Sequence, residues 1–415
     1  MRVSRGVTVR TTCRMCGSDK LHQFLDLGIQ PLANSFVKKE DLDQPEEKYP
    51  LEVYWCERCS LAQLIHVVSP EILFRDYVYF STAMPKLSNH FKDYAKDAVK
   101  RFVSKEGQLV VEIGSNDGVL LKTIQDTGVR VLGVDPAKNI ATIANERGIE
   151  TIPEFFNEPL AKGIRESRGV ARIIIGNNVV AHIDNHLDLL RGALALLDED
   201  GVFIFEAPYL IDMFDNLTFD TVYHEHLSYL AVRPLVSFFA ANGLEVFDAR
   251  TSPVQGVSLR MYAGRPGRHP ISPSVRDLQE AEKRRGLDTL EPYQALARRI
   301  QDLKEDVRKE LLNLKKSGKR LAGYGAPAKG NTLLNYYDIG PDMLDYVTET
   351  LPSKIGLYTP GMHIPVIHID EARKNPPDAY LLLAWNYQKA ILEQEEAFLK
   401  SGGTFVVPIG DKRTN

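Results

Sequence analysis

Cysteine is scarce in this chain and neither sign of charge dominates. Four cysteines among 415 residues are too few for a disulfide scaffold. Lys and Arg total 51 against 55 Asp and Glu, for a formal net charge of -4. That balance lacks the electropositive footprint that phosphate backbones demand, so no nucleic-acid partner is expected. No apolar stretch approaches the roughly 18 residues of a membrane span, and MRVSRGVTVRTTC has no apolar core of signal-peptide type. No membrane association is expected, and the expected location is cytoplasmic, where cysteines stay reduced. What remains is ordinary globular composition, 44% hydrophobic and 26% charged, long enough for two or three domains at about 150 residues each.

The cysteines fall into two pairs, Cys13 with Cys16 and Cys56 with Cys59. A CxxC turn aims both sulfurs at one centre, and two such turns make a closed four-thiolate shell with no position left for water. A structural Zn2+ is therefore expected, and chemistry at the metal is not. Buried or redox-active thiols are the competing reading, and the way the two pairs use up every cysteine weighs against it. Between the pairs lie LDLGIQPLANSF and a charged run from Lys38 to Lys48, read as a solvated loop.

From Gln108 the chain reads QLVVEIGSNDGVLLKTIQDTG and then VRVLGVDPA: strand, glycine turn, helix, strand. That is the start of a doubly wound α/β unit. Glu112, Gly114, Ser115, Asn116 and Gly118 lie where the backbone can approach a ligand at the carboxyl end of the first strand. Asp135, followed by Pro136, ends the second strand, where an acid can accept ribose hydroxyls. The glycines do not form the GxGxxG triple of a dehydrogenase, and Asp117 would repel a pyrophosphate. S-adenosylmethionine (SAM), with its cationic sulfonium and amino groups, is preferred to NAD. A glycine turn without a ligand is the plainer alternative. Asn177 and Asn178 close the third strand of ARIIIGNNVVAHI, His182 follows, and Glu206 closes DGVFIFEAPYL; strand ends of this kind face the ligand crevice.

Next comes FDTVYHEHLSYL, in which Tyr223, His224, Glu225 and His226 concentrate acid and base groups. On an extended segment the pleat would put His224 and His226 on one face, with Tyr223 and Glu225 on the other. Ser228 stands where the second histidine of HExxH would be, so no catalytic metal is expected. Hydrogen bonding beneath a loop is the competing reading of these side chains.

The segments CRMCGS, LDLGIQPLANSF, CERC, YVYFST, VVEIGSNDGVLL, VYHEHLSYL, GYGAPAKGNTLLN and LYTPGMHIPV, in that order, span essentially the whole chain. Taken together, the sequence resembles the C-methyltransferases that act at C-3 of dTDP-linked 4-keto deoxysugars, such as those of tetronitrose and mycarose pathways. The resemblance implies a three-part α/β protein: a small N-terminal zinc-binding domain (1–74), a central Rossmann-like SAM-dependent methyltransferase domain (75–265) and a C-terminal Rossmann-like α/β domain holding the nucleotide sugar (319–415). The stretch between the last two (266–318), rich in Leu, Glu, Lys and Arg at helical spacing from Val275 on, reads as a helical connection. The resemblance also implies His226 as the base that removes the C-3 proton, supported by Tyr223, Glu225 and His182, and it adds Phe80 and Ser81 to the SAM-binding residues. For the nucleotide sugar it implies Gly323, Gly325 and the helix opened by Pro327 at the diphosphate, with Lys329, Asn331, Glu349, Lys354, Trp385 and Asn386 around them. No protein partner is indicated, and a monomer is expected. Two departures stand out. Gln255-Gly256-Val257-Ser258 replaces the His-Gly-Gly-Ser of many relatives, and Glu349 replaces their usual Asp. Sugar O- or N-methylation and a zinc-ribbon RNA-binding role are the alternatives.

Overall fold

The computed structural model describes residues 6–75, 85–252 and 256–410; Phe80, Ser81 and Gln255 lie outside the described residues. The N-terminal module has strands β1 (Val7–Val9), β2 (Leu21–Pro31), β3 (Lys48–Cys56), β4 (Ala62–Leu64) and β5 (His66–Val68). Buried and part-buried residues alternate along β3, as expected for a sheet with one face on a core. β2, β3 and β4 pair antiparallel, and β1 pairs with β5.

The central part contributes β6 (Leu109–Ile113), β7 (Arg130–Val134), β8 (Thr151–Ile152), β9 (Ala171–Asn177), β10 (Leu197–Pro208), β11 (Ser228–Tyr229), β12 (Glu245–Ser252) and β13 (Ser258–Gly264). Seven of them form one sheet in the order β12-β13-β10-β9-β6-β7-β8. β6 is buried along its whole length because helices cover both faces, which is why it reads as an apolar run instead of alternating. The order reverses between β6 and β9, and a crevice opens at such a reversal beyond the carboxyl ends of the strands. β11 leaves this sheet and joins the N-terminal one beside β4, with Ser228 opposite Gln63. The N-terminal sheet is therefore completed by a strand from far outside the first 74 residues. It borrows a strand from the segment that carries Tyr223 and His226.

The helical connection exists as helices Pro273–Arg284 and Glu291–Lys316. It is more than a spacer, since Tyr293 of the longer helix packs edge-on against Phe24 at 4.9 Å and Phe214 at 5.1 Å. The C-terminal sheet has β14 (Leu321–Tyr324), β15 (Val347–Glu349), β16 (Val366–His368), β17 (Ala379–Leu382) and β18 (Thr404–Val406), all parallel, in the order β16-β15-β14-β17-β18. It too reverses, between β14 and β17. One continuous apolar core runs through Leu25, Val53, Phe205, Tyr293, Leu333 and Val347, so the parts are welded together rather than strung on linkers.

Candidate active site

The four cysteine sulfurs lie within 4.8 Å of one another, with Cys13 and Cys59 at 3.6 Å and Cys16 and Cys56 at 3.5 Å. Tetrahedral thiolates at the usual Zn–S distance of ~2.3 Å would be ~3.8 Å apart, so the donor set fits zinc with little movement. The two knuckles are built alike. Gly17 N–H bonds to Cys13 O and Ser60 N–H to Cys56 O, and both Gly17 and Ser60 have positive φ.

The loop after β6 builds the central crevice. Gly114 has φ +65°, and a Cβ there would stand 2.2 Å from Val179 Cγ2, so no side chain fits. Gly118, at φ +77°, opens the helix Val119–Gln125. Asp135 accepts the Asn116 N–H through Oδ2 at 2.8 Å and the Ala137 N–H through Oδ1 at 2.9 Å. That ties the loop after β6 to the one after β7. Burial raises the pKa of Asp135 against the pull of those two amides, and Asp117 adds to the rise. Burial, with Asp135 and Asp117 nearby, lifts Glu112 well above the carboxylate range. Such an acid cluster suits a cation and would repel a pyrophosphate. Glu112 Oε2 and both amide atoms of Asn177 are buried without a hydrogen-bond partner among the described residues. Together with the glycine cradle, these groups fit a polar cationic ligand such as SAM.

Other expected crevice residues divide. Asn178 takes φ +52° and donates its N–H to Glu206 O. The Ser115 hydroxyl is buried without a hydrogen-bond partner among the described residues, 2.5 Å from where a Cβ on Gly133 would stand. The Pro136 carbonyl accepts from Arg75 at 3.4 Å. Glu206, expected to be able to face a ligand, is instead gripped by His90 at 2.8 Å and Arg260 at 2.7 Å.

The Tyr-His-Glu-His segment is a turn, which corrects the extended arrangement expected from the sequence. Tyr223 and His226 come together, and His224 turns away. Tyr223 Oη lies 2.9 Å from His226 Nε2, and His226 Nδ1 lies 2.7 Å from Thr221 O. Burial, aided by Lys329 and opposed by the Thr221 carbonyl, lowers the His226 pKa to about 4. The His182 ring is 4.9 Å from that of His226 and stacks on Phe74. Burial and His226 drive its pKa well below the imidazole range. His224 reaches Tyr49 O at 3.2 Å inside the protein. Glu225 is buried and accepts from Asn34 Nδ2 at 2.6 Å.

At the second sheet reversal Gly325, φ +85°, would bring a Cβ within 2.8 Å of Ala384 Cβ. Lys329 Nζ sits 3.7 Å above the Trp385 ring, and Trp385 Nε1 donates to Asp220 Oδ2 at 2.6 Å. Burial lowers the Lys329 pKa and raises that of Asp220. Glu349 Oε1 accepts the Thr350 and Leu351 N–H groups, and Oε2 is 3.7 Å from Lys354 Nζ, which donates to Ala326 O. Asn386 is part-exposed in the same short turn as Trp385. Two of the expected residues make contacts within the fold, although Asn331 Oδ1 is left buried without a hydrogen-bond partner among the described residues. Asn331 is 1% exposed and donates to Ala33 O of the N-terminal module, so it latches two domains. Gly323 serves strand packing, because a Cβ would lie 2.6 Å from Val347 Cγ1. Sequence reasoning missed Asp220, Thr221, Asn34 and Arg14. None carries a local pattern, and their contacts are made by the fold.

Three family models tile this arrangement: a zinc binding domain over residues 13–74, a methyltransferase domain over 88–249, and a C-methyltransferase C-terminal domain over 253–410. A curated relative, the C-methyltransferase NovU of Streptomyces niveus, is 37% identical over 97% of this chain and 96% of its own length. The chain belongs to the C-methyltransferase family. It is a SAM-dependent C-methyltransferase, and its cofactors are SAM and zinc. Solved structures similar to part of it include the magnesium protoporphyrin IX methyltransferase ChlM of Synechocystis PCC 6803 with bound SAH, at 14% identity over 46% of this chain and 89% of that one, TM-score 0.35. Another is the ribosomal protein L11 methylase of Lactobacillus delbrueckii subsp. bulgaricus, at 16% identity over 44% of this chain and 80% of that one, TM-score 0.31. In this C-methyltransferase no helix among the described residues is long and apolar enough to cross a membrane.

Proposed function

We propose that this methyltransferase methylates C-3 of a nucleotide-linked 4-keto deoxysugar, most simply a dTDP sugar, in a deoxysugar biosynthetic route. The observation that carries the reading is the Tyr223–His226 pair, set between the two sheet reversals with Lys329 close enough to affect the imidazole. A carbon attacks a methyl group only once it bears negative charge, and the neighbouring ketone lets an enolate form when the C-3 proton leaves. His226 Nδ1 faces a carbonyl and keeps its proton, so Nε2 is the acceptor and Tyr223 donates to it. As the C-3–H bond breaks, its electron pair enters the enolate and the proton goes to Tyr223 Oη. The phenol proton passes to His226 Nε2. His182, whose ring lies 4.9 Å from that of His226, and Glu225, held by Asn34, are proposed as supporting groups.

When bound, SAM supplies an electrophilic methyl group. The residues proposed to hold it are Glu112, Asp135, Asn177, Asn178 and the Gly114–Gly118 loop. They orient the reactants, and orientation alone can account for a large part of the rate. Gly325, Lys329, Glu349, Lys354, Trp385 and Asn386 are proposed for the nucleotide sugar, with Lys329 at the diphosphate. The division at 1–74, 75–265, 266–318 and 319–415, a cytoplasmic location and a monomeric state belong to the same proposal.

The test is loss of deuterium from C-3 of a 4-keto nucleotide sugar in the absence of SAM. Wild type is expected to release the label and Tyr223→Phe to retain it. Release from C-5, the other carbon beside the ketone, would move the methylated position and keep the enolate route. No exchange at either carbon would point to an oxygen or nitrogen acceptor.

A further inference from the structure

Between the first two zinc-ligand positions lies an arginine that nothing in the C-methyltransferase chemistry has yet used. Arg14 is 5% exposed overall, and its side chain is fully buried. A guanidinium placed so deep needs every donor met. Nη2 donates to Leu64 O at 2.8 Å, Nη1 donates to Leu227 O, and Nε and Nη2 reach Asp184 Oδ1 at 3.4 and 3.3 Å. Its backbone N–H is held too, by Gln63 Oε1 at 3.1 Å.

The partners say what the fork is for. Leu227 directly follows His226, and Asp184 lies two residues after His182. The Leu227 carbonyl also accepts the Leu64 N–H at 3.0 Å, and the Leu227 N–H donates to Ala181 O at 2.8 Å. Leu227 is thus pinned between the edge of the zinc sheet and the short helix Val180–His182. Arg10 adds a bond to Asp184 at 3.0 Å from outside.

We propose that Arg14 is a positioning residue for the proton-transfer step: from the first zinc knuckle, its guanidinium fixes the two chain segments that carry His226 and His182. The zinc site then sets the geometry of the base, although the metal touches no reacting atom. The inference rests on the Tyr223–His226 reading above.

Lysine keeps the charge at this position but cannot span Leu64, Leu227 and Asp184 at once, because it lacks the planar fork. Arg14→Lys should therefore loosen the base segment while the four thiolates stay in place. A misplacement of about 1 Å can cost on the order of a hundredfold in rate. Zinc-loaded Arg14→Lys is expected to lose about tenfold to a hundredfold in kcat. The SAM-independent deuterium exchange of the acceptor should fall by the same factor, with both KM values within about twofold of wild type and one zinc per chain. Asp184→Asn, at a side chain 36% exposed, weakens only one arm of the fork and is expected to show the same split at about threefold to tenfold.

Full kcat in folded, zinc-loaded Arg14→Lys would overturn the proposal. So would loss of zinc, or KM values that rise along with the fall in kcat, because either marks a knuckle that is merely structural. If Arg14→Lys does not fold, the decision passes to Asp184→Asn, where unchanged exchange and kcat overturn it. Failure of the underlying reading looks different. Wild type itself would then exchange nothing, and the positioning role would fall with it.

Discussion

Tyr223 and His226 are three residues apart and bonded to each other, Oη to Nε2 at 2.9 Å, while the Thr221 carbonyl holds the other imidazole nitrogen at 2.7 Å. The turn fixes which nitrogen carries the proton. Burial lowers the His226 pKa to about 4, so the ring stays neutral, and able to accept a proton, through the physiological range.

The pH dependence of kcat/KM follows from that shift. It reports ionisations of the free enzyme, and the acid limb belonging to His226 should lie near pH 4, leaving the profile flat from about pH 5.5 to 8. Lys329 is one cause of the lowering, so Lys329→Met should move the limb upward. A limb at the ordinary imidazole value of about 6.5 in wild type would remove His226 from the role.

Stability should follow the same histidines. Burial lowers His186, His224 and His226 to about 4, and His182 also falls well below its usual value. Between about 6.5, where the unfolded histidines titrate, and about 4, the unfolded chain binds more protons than the folded one. The stabilisation from keeping these rings neutral is complete above about pH 6.5 and is lost as pH falls through the folded values. Urea midpoints measured from pH 7 to 4.5 should decline steadily. His224→Gln, which removes a buried ring that bonds inward to the Tyr49 carbonyl, should flatten that slope. An equally steep slope in this variant would contradict the assignment.

Gly114 offers a test of the SAM crevice. Alanine there must take φ +65° and put its Cβ 2.2 Å from Val179 Cγ2. Backbone strain of this kind costs about 1–3 kcal/mol, so Gly114→Ala should raise the SAM Kd by about tenfold or more. Adding Val179→Ala removes the clash and leaves the strained φ, so it should recover only part of the loss. Calorimetric titration of both variants decides it. Unchanged SAM binding in Gly114→Ala would place the cofactor elsewhere.

How much of this could be read from the sequence depended on the range of the interaction. The paired cysteines and the two glycine turns are local patterns, and the structure puts them at a closed thiolate cluster and at two sheet reversals. Tyr223 and His226 were noticed for their chemistry, but the pleat argument separated them. It could not foresee that the Thr221 carbonyl would hold the ring in a turn. Asn331 looks like a ligand-loop residue because it opens a helix after a glycine turn, yet its amide goes to Ala33, almost 300 positions away. Arg14 and Asp220 gave no signal. Their meaning lies in partners that only the folded chain brings near.

Trp385 and Lys329 can be tested apart. Lys329→Met removes the charge proposed for the diphosphate and should raise the nucleotide-sugar KM by about tenfold, with the SAM KM unchanged. Trp385→Phe keeps a ring beneath Lys329 but drops the Nε1 bond to the fully buried Asp220. A buried acceptor left without its donor costs about 1–3 kcal/mol, so this variant should show a lower Tm more than a higher KM. Equal effects on both substrates in Lys329→Met would place the lysine away from the sugar nucleotide.

Zinc removal should separate cofactor binding from catalysis. The SAM crevice is built from the ends of β6, β7 and β9, none of which belongs to the zinc sheet, whereas β11 pairs with β4 just after His226. A chelator, or Cys16→Ser with Cys59→Ser, should therefore disorder the sheet and the base segment first. The chain has two tryptophans. In a Trp385→Phe background the emission reports on Trp55, which is 4% exposed and next to the ligand Cys56. Chelation is expected to shift that emission to the red and abolish acceptor exchange, while SAM binding weakens far less. Four thiolates bound to one ion stabilise a small sheet that has little core of its own. If kcat survives with the Trp55 signal already shifted, the zinc sheet does not hold the base, and the link through β11 is wrong.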